Sequence, residues 1–184
     1  MSHMIILSIV KGLHQMYNDN QPYTDSYIQN KQRYNSMNWN RNNTPCNRDY
    51  GPKPFVININ EATKCNDNFR TALWTGCHLQ VTLMCINVGE DIGLEIHPDL
   101  DQFLRIEQGQ GIVMMGDRRD RLDFREKVCD EYAIVIPAGK WHNLINTGRV
   151  PLKLYSIYAP PQHPWGTIHK TKADAQAAEE HHEC

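Results

Sequence analysis

Two short stretches of the chain combine residue types that can bind a metal ion. In "GLEIHPDLDQ", residues 93–102, a carboxylate, an imidazole and an amide occur at Glu95, His97 and Gln102. Residues two apart on a β-strand leave the same face, so Glu95 and His97 can reach one point. Pro98 and Asp99 predict a turn, after which an antiparallel return brings Gln102 opposite the first pair. The spacing therefore predicts that three donors converge.

The second stretch, "IPAGKWHNLIN", supplies another imidazole. Its first strand is predicted to end at Pro137 and to turn at Gly139, where a positive φ is easily adopted. The next strand then places His142, Leu144 and Asn146 on one face. A shared metal ion is one interpretation of these donors. A buried polar network without metal is the other, and the residue types alone leave both open.

The elements that must position these donors are predicted to be β-strands. From Pro54, short runs rich in β-branched residues are separated by Gly, Asn, Asp and Pro at intervals of about ten residues, which is typical of an all-β sandwich or barrel. The predicted strands are "FVINI", "LQVTLMCIN", "IGLEIH", "QFLRIEQG", "GIVMMG", "RLDFREKV", "YAIVIPA", "HNLINTG" and "LKLYSIYA". No long segment with a 3.6-residue period interrupts them, which argues against an α/β fold.

The segments before and after the strand region differ from it in amino-acid composition. The Asn- and Tyr-rich stretch before Pro54 has too few aliphatic residues to form a core, so residues 1–53 are expected to be an N-terminal arm. Residues 54–160 are expected to form the barrel, and residues 161–184 an exit loop and a short C-terminal helix. Thr171 followed by Asp174 predicts the start of that helix, because the two can form a capping box.

Composition excludes several classes of partner. The chain has 184 residues with 19 basic and 21 acidic side chains, which gives no electrostatic footprint for nucleic acid. No stretch approaches the roughly 20 apolar residues of a membrane helix, so we expect no membrane partner and a cytoplasmic protein. The six cysteines form no C-x-x-C pair and are expected to be reduced thiols.

Together the two stretches resemble the paired motifs of the cupins, which read G-x5-H-x-H-x3,4-E-x6-G and G-x5-P-x-G-x2-H-x3-N. In the first motif Gly89, His97 and Gly109 match, while Glu95 and Gln102 stand at the positions of a His and the Glu. In the second motif the family residues are present at Pro137, Gly139, His142 and Asn146, and Glu131 takes the place of the opening Gly. The resemblance implies a double-stranded β-helix, or jelly-roll, barrel over about residues 54–160.

The resemblance also implies a site for one divalent transition metal ion, with Glu95, His97, Gln102 and His142 as ligands. Two ligands depart from the family pattern, but exchanging His for Glu and Glu for Gln leaves the net charge of the set unchanged. The nitrogen and oxygen donors suit Fe, Mn, Ni, Co or Zn. Asp101 is an alternative to Gln102, because the family spacing allows three or four residues before the acid.

For function, the resemblance implies a small-molecule substrate and leaves the reaction open. The leading hypothesis is metal-assisted proton transfer on a small oxygenated substrate, as in sugar isomerisation or epimerisation, with Glu95 as ligand or as base. An Fe(II)-dependent dioxygenase and a non-catalytic ligand-binding or structural cupin are the alternatives. "IGLEIHPDLDQFLRIEQGQG" and "HPWGTIHKTKADA" resemble small single-domain cupins described as mannose-6-phosphate isomerase-like. Because cupins commonly pair, we expect a homodimer.

Three groups outside the motifs have open roles. His163 and His169 follow the last predicted strand in a Pro-rich segment, which can be a plain exit loop or a cover over the barrel mouth. The arginines of "GDRRDR", residues 116–121, can be solvated or can bind an anionic group of the substrate. Arg105 and Glu107 are expected to pair on the face away from the ligands.

Overall fold

The computed structural model describes residues 47–180, so most of the predicted arm and the last four residues lie outside the described part of the chain. The helices and strands are α1 (Ile59–Cys65), β1 (Arg70–Thr75), β2 (Gln80–Ile86), β3 (Asp101–Gln108), β4 (Gln110–Gly116), β5 (Phe124–Cys129), β6 (Ala133–Ile136), β7 (Trp141–Asn146), β8 (Leu152–Ala159), β9 (Ile168–His169) and α2 (Lys172–Glu180).

The strands form two antiparallel sheets, which confirms the predicted all-β double-stranded β-helix. The larger sheet has the order β6-β3-β8-β2-β1-β9, and the smaller has the order β5-β4-β7. One apolar cluster joins the inner faces of both sheets, with Ile106 and Leu154 from the larger and Val113 and Leu144 from the smaller. The period-two alternation predicted these inner faces, since buried and exposed positions alternate along β4 and β6.

The prediction of a strand at "FVINI" is wrong. Residues 54–58 form no strand, and Ile59 already begins α1, whose N-cap Asn58 accepts a hydrogen bond from the Glu61 N–H at 3.3 Å. Phe55 and Ile57 nevertheless pack inward, against a second apolar cluster that includes Leu73. The alternation thus reflected burial against that cluster and not pairing with a neighbouring strand.

The predicted strand at "IGLEIH" is also wrong as a regular strand. The segment forms only isolated bridges, from Asp91 to Ile145 and from Glu95 to His142. Gly93 has a φ of 97°, and its N–H donates to Asp91 Oδ1 at 2.8 Å. This local turn interrupts the ladder, yet the second bridge still attaches Glu95 to β7.

The C-terminal helix forms as predicted. Thr171 and Asp174 make the reciprocal capping box, with the Thr171 N–H donating to Asp174 Oδ2 at 2.9 Å and the Asp174 N–H donating to Thr171 Oγ1 at 3.2 Å. Between β8 and this helix, β9 adds to the edge of the larger sheet by pairing with β1. The exit segment is therefore part of the sheet and not only a loop.

Two further sequence predictions concern the described residues. Among residues 47–180, the cysteines at 77, 85 and 129 form no disulfide. Within the same residues, no helix has the length and apolar character needed to cross a membrane.

Candidate metal centre

Glu95, His97 and His142 lie together, and Glu95 and His97 line a cleft. One ligand atom from each falls within 4.8 Å of the others. The backbone produces this arrangement, since the Glu95 N–H donates to the His142 carbonyl at 3.1 Å and the His142 N–H donates to the Glu95 carbonyl at 2.9 Å. The Gly139 N–H donates to the His97 carbonyl at 2.8 Å and fixes the third residue. The two motifs are thus joined directly.

The ring of His142 is oriented by a hydrogen bond on its far side. Nδ1 lies 2.9 Å from the backbone carbonyl oxygen of Lys140, and because a carbonyl only accepts, Nδ1 carries the proton. In a neutral ring, Nε2 then presents a lone pair, and it lies 3.3 Å from Oε1 of Glu95. Two lone-pair atoms at this distance repel each other unless a proton or a metal ion lies between them.

His97 adds a second unsatisfied nitrogen. Its Nε2 lies 3.7 Å from Oε1 of Glu95 and, among the described residues, is buried without a hydrogen-bond partner. The ring packs at 5.4 Å from the ring of His142 and meets Tyr158 edge-on at 5.7 Å. A buried polar atom without a partner is costly, so this nitrogen fits a ligand position.

Gln102 and Asp101 occupy opposite sides of β3. Asp101 is exposed, and its Oδ1 accepts a hydrogen bond from the Ala138 N–H at 2.9 Å. Gln102 is 2% exposed, and its Nε2 donates to Ser156 Oγ at 3.1 Å. Its Oε1 is buried without a hydrogen-bond partner in the described part of the chain. Gln102 is paired with Tyr158, whose ring contacts His97, so its side chain faces the same interior.

Glu95 is held ionised. Burial alone would raise the pKa of its carboxyl group. Hydrogen bonds from the Nε2 atoms of His142 and His97, when these atoms carry a proton, and the positive charge of Arg70 outweigh burial and hold the pKa well below its usual range. An ionised carboxylate beside two imidazoles supplies the nitrogen and oxygen donors that divalent transition metals accept. The residues present therefore fit a metal ion.

The cleft has a volume of about 750 Å³, and its lining includes Glu95, His97 and His163. The ring of His163 meets Tyr158 edge-on at 5.2 Å, on the residue that also contacts His97. Burial and the charge of Arg70 lower the pKa of His163 to about 3, so the ring stays neutral. The sequence left open whether the segment of His163 is a plain exit loop or a cover over the barrel mouth. In the structure His163 lines the cleft.

The exit segment is held over the cleft by a buried amide. Gln80 on β2 is fully buried; its Oε1 accepts the His163 N–H at 2.9 Å and its Nε2 donates to the His163 carbonyl at 2.8 Å. A second attachment comes from Asp49, whose Oδ2 accepts the Gly166 N–H at 3.1 Å. His163 is therefore positioned by hydrogen bonds from β2, and the segment that carries it by a further hydrogen bond from Asp49.

Sequence reasoning missed Arg70 as a polar residue of this cleft, and it placed the other member of the pair, His169, only in the exit segment. They are direct partners in the β1–β9 pair, and both line the cleft. Arg119 also lines the cleft; it belongs to the "GDRRDR" loop, for which the sequence left two roles open, and it lies over the ring of Trp141 at 5.6 Å to the centroid. "RTALWT" gave no signal, because both faces of β1 are buried and period-two alternation is absent.

Three residues singled out by the sequence are structural. Asn146 uses its Nδ2 to donate to the carbonyls of Ile86 and Val150, each at 2.9 Å, while its Oδ1 accepts the Gly148 N–H at 2.9 Å. Arg105 and Glu107 form the predicted ion pair at 3.1 Å. Neither set reaches the cluster of donors.

Comparison with known proteins agrees with the architecture. A family model described as a cupin domain matches residues 82–158. The chain is 71% identical over 133 residues to the uncharacterized protein YrkC of Bacillus subtilis (strain 168), covering 72% of each protein. It is 43% identical over 115 residues to the uncharacterized protein L612 of Acanthamoeba polyphaga mimivirus, covering 62% of this chain and 70% of that protein.

A solved structure extends the comparison to coordinates. The crystal structure of BH2720 from Bacillus halodurans superposes with a TM-score of 0.70 at 70% sequence identity, over 71% of this chain and 98% of that one. The matched motifs, the two antiparallel sheets and these relatives lead to the same assignment. The chain belongs to the cupin superfamily.

Proposed function

We propose that Glu95, His97, Gln102 and His142 bind one divalent transition metal ion and that the protein uses it on a small oxygenated substrate. One observation carries this proposal: Nε2 of His142 and Oε1 of Glu95 face each other at 3.3 Å while the Lys140 carbonyl holds the other ring nitrogen of His142. The buried, unpartnered His97 Nε2 and Gln102 Oε1 support it from two further elements.

The reaction class we favour is proton transfer on a carbonyl or hydroxyl compound. A bound metal ion supplies a Lewis acid that polarises a substrate oxygen. Glu95 acts as a ligand in this scheme, because its Oε1 lies inside the cluster of donors, 3.3 Å from Nε2 of His142 and 3.7 Å from Nε2 of His97. Fixed by Tyr158 and the Lys140 carbonyl, the rings of His97 and His142 keep their ligand nitrogens in place.

His163 is the proton acceptor in this proposal. It lines the cleft, it lies outside the ligand set, and its lowered pKa keeps it unprotonated. Negative charge that develops on a neighbouring substrate would raise the pKa of the ring and strengthen it as a base. Gln80 holds the backbone of His163 on both sides, so the position of the ring is fixed before substrate arrives.

Elemental analysis of tag-free protein tests the metal centre. After reconstitution and removal of loose ions, the wild type is expected to hold one metal ion per chain, and Glu95→Ala and His142→Ala are expected to hold almost none. His78→Ala removes an exposed histidine outside the site and should keep the wild-type content. Equal metal content in all four proteins, or none in the wild type, would contradict the proposed centre.

Proton transfer is tested separately. Small hydroxycarbonyl compounds are incubated with metal-loaded protein in D₂O, and deuterium uptake at carbon is followed by proton NMR. His163→Gln is expected to slow the exchange by about 10²–10⁴-fold while the metal content stays the same. Exchange that is equally fast in His163→Gln would show that His163 is not the proton acceptor.

A further inference from the structure

We infer that the substrate of this site carries an anionic oxygen group, a carboxylate or a phosphate, which Arg119 binds at the open side of the cleft. This substrate class rests on the proposed function and narrows it. Arg119 lines the same cleft as Glu95 and His97 but lies outside the proposed ligand set. It is exposed to solvent, whereas His97 is buried. A small molecule in the cleft can therefore reach the metal ligands with one end and Arg119 with the other.

The loop that carries Arg119 is a closed turn beside Trp141. It begins at Gly116, the last residue of β4, which pairs with Trp141 on β7. A Cβ atom at Gly116 would lie 2.0 Å from the carbonyl oxygen of Arg121, so the chain folds back here because glycine has no side chain. The Arg121 N–H donates to the Arg118 carbonyl at 3.0 Å and closes the turn around Arg119.

Arg119 differs from the other charged residues of its loop in its partners. The others form ion pairs, namely Arg118–Asp120, Arg121–Asp123 and Lys140–Asp117. Among residues 47–180, Arg119 has no acidic partner. Each of these exposed pairs is weak, but together they occupy the three carboxylates of the loop. The guanidinium of Arg119 is thus available to an anion from solution.

Trp141 holds this guanidinium without using its hydrogen-bond donors. The guanidinium carbon of Arg119 lies over the indole ring, 5.6 Å from the centroid. A cation over an aromatic face is attracted by the ring, and the N–H groups at the edge of the guanidinium plane stay free. These N–H groups match the oxygens of a carboxylate or a phosphate. Because Trp141 also lines the cleft, the contact keeps the donors of Arg119 at the cleft.

The charge balance of the cleft also favours an anionic ligand. Glu95 is the acidic residue among the described residues that line the cleft. A divalent ion bound by Glu95 and by neutral imidazole and amide groups would leave a net positive charge, and Arg119 adds to it. An anionic substrate balances this charge and a neutral one does not.

Isothermal calorimetry on the metal-loaded full chain tests the subsite with two pairs of hydroxyketones. Dihydroxyacetone is compared with its monophosphate, and methyl 5-hydroxy-4-oxopentanoate with the free carboxylate. At least one anion should bind about fivefold or more tightly than its neutral partner, and Arg119→Gln should reduce that preference about fivefold. A purely structural role of Arg119 would change the binding of both members of a pair equally.

Arg125→Gln is the matched control. It removes the same charge from an exposed arginine on β5 that does not line the cleft. Its preference for the anion should stay within about twofold of the wild type, because distant exposed charges are screened by salt. The metal content should be that of the wild type in both variants.

The outcomes separate the subsite from the metal centre. The subsite is overturned if the wild type binds no probe or binds both members of each pair equally. It is also overturned by an unchanged preference in Arg119→Gln, or by an equal loss in Arg125→Gln, while the metal centre stands. The pair whose preference falls more in Arg119→Gln identifies the group as phosphate or carboxylate. If the wild type holds no metal, the metal centre fails, and the same titrations still decide on Arg119: a preference that only Arg119→Gln weakens supports the subsite, and any other result overturns it.

Discussion

The interior between the two sheets has a polar end and an apolar end, built from the same strands. On β8, Leu152 and Leu154 at one end and Ser156 and Tyr158 at the other are all fully buried. The strands on either side of β8, β2 and β3, change from polar to apolar residues at the matching positions. Gln80 and Gln102 both pair with Tyr158, whereas the residues paired with Leu154 are the apolar Met84 and Ile106.

The two ends have equal burial and opposite chemistry. On β7 the polar His142 and the apolar Leu144 are only two residues apart, and both are fully buried. Apolar burial stabilises the fold, while each buried polar group costs free energy unless it is hydrogen-bonded. At the polar end, several such groups face the cleft. The difference indicates that the apolar end carries stability and the polar end carries binding, a division that single substitutions can test.

The largest effect is expected at the apolar end. Leu144→Ala removes a fully buried side chain from the cluster shared by both sheets and is expected to lower the free energy of unfolding by about 2–5 kcal/mol. Urea denaturation monitored by circular dichroism measures the change. Metal stoichiometry should stay that of the wild type at temperatures where the variant is folded. A loss below about 1 kcal/mol would show that the apolar end does not carry the stability assigned to it.

At the polar end, substitutions are expected to change the metal affinity much more than the stability. The double variant Gln102→Leu, Ser156→Ala removes both partners of one buried hydrogen bond, so its stability should stay within about 1 kcal/mol of the wild type. Its metal affinity should fall by about tenfold or more, because one oxygen donor is lost. Competition with a chromophoric chelator gives the affinity, and Ser156→Ala alone is the control. Unchanged metal affinity in the double variant would remove Gln102 from the ligand set.

A smaller effect is expected from the pH dependence of stability in chelator-treated protein. The pKa of His163 falls from its ordinary value of 6.5 to about 3, so between these values the unfolded chain binds a proton that the folded protein does not. Stability should therefore fall as the pH falls through this window, with a contribution of up to about 1.4 kcal/mol per pH unit. His163→Gln should show a shallower dependence in urea denaturation from pH 7 to 4. Equal slopes would show that the folded protein accepts the proton.

The smallest effect is expected where α2 attaches to the segment that carries Glu95. Asp91 is paired with Lys172 of α2 and accepts the Gly93 N–H. Burial raises the pKa of Asp91, but Lys172, Gly93 and Asn143 outweigh it and lower the pKa overall. The stabilisation is thus complete above the ordinary pKa near 4 and lost as the pH falls.

Asp91→Asn should cost about 1 kcal/mol or less at pH 7, because both side chains are partly exposed and solvent screens the pair. The wild type and the variant should become equally stable near pH 3. A difference that persists at pH 3 would show that the charge of Asp91 is not its source.

The sequence predicted most of the strands from local spacing, and it predicted the cluster of Glu95, His97 and His142 from the resemblance to the cupin motifs. Period-two alternation located β3, β4 and β8, and the motif spacing predicted that His142 and Glu95 would meet. The backbone bridge that joins them, and the irregular segment around Gly93, depend on pairing between segments distant in the chain. Glu95 and His142 lie close together as predicted, but the segment that carries Glu95 is not the regular strand that the prediction assumed.

The rest of the cleft could not be predicted for a physical reason. Arg70 lies on a strand buried on both faces, where alternation is absent, and His169 lies on a two-residue strand. Gln80 looks like any polar residue at a strand end until the fold brings the exit segment to it. Each of these roles is created by long-range pairing, which composition and spacing do not encode.

Anomalous diffraction from crystals of cobalt-loaded protein tests the central claim most directly. The account predicts one peak, bonded at about 2.0–2.2 Å to a Glu95 oxygen, His97 Nε2, His142 Nε2 and Gln102 Oε1. Strong anomalous density elsewhere in the molecule with none between Glu95 and His142 would contradict it.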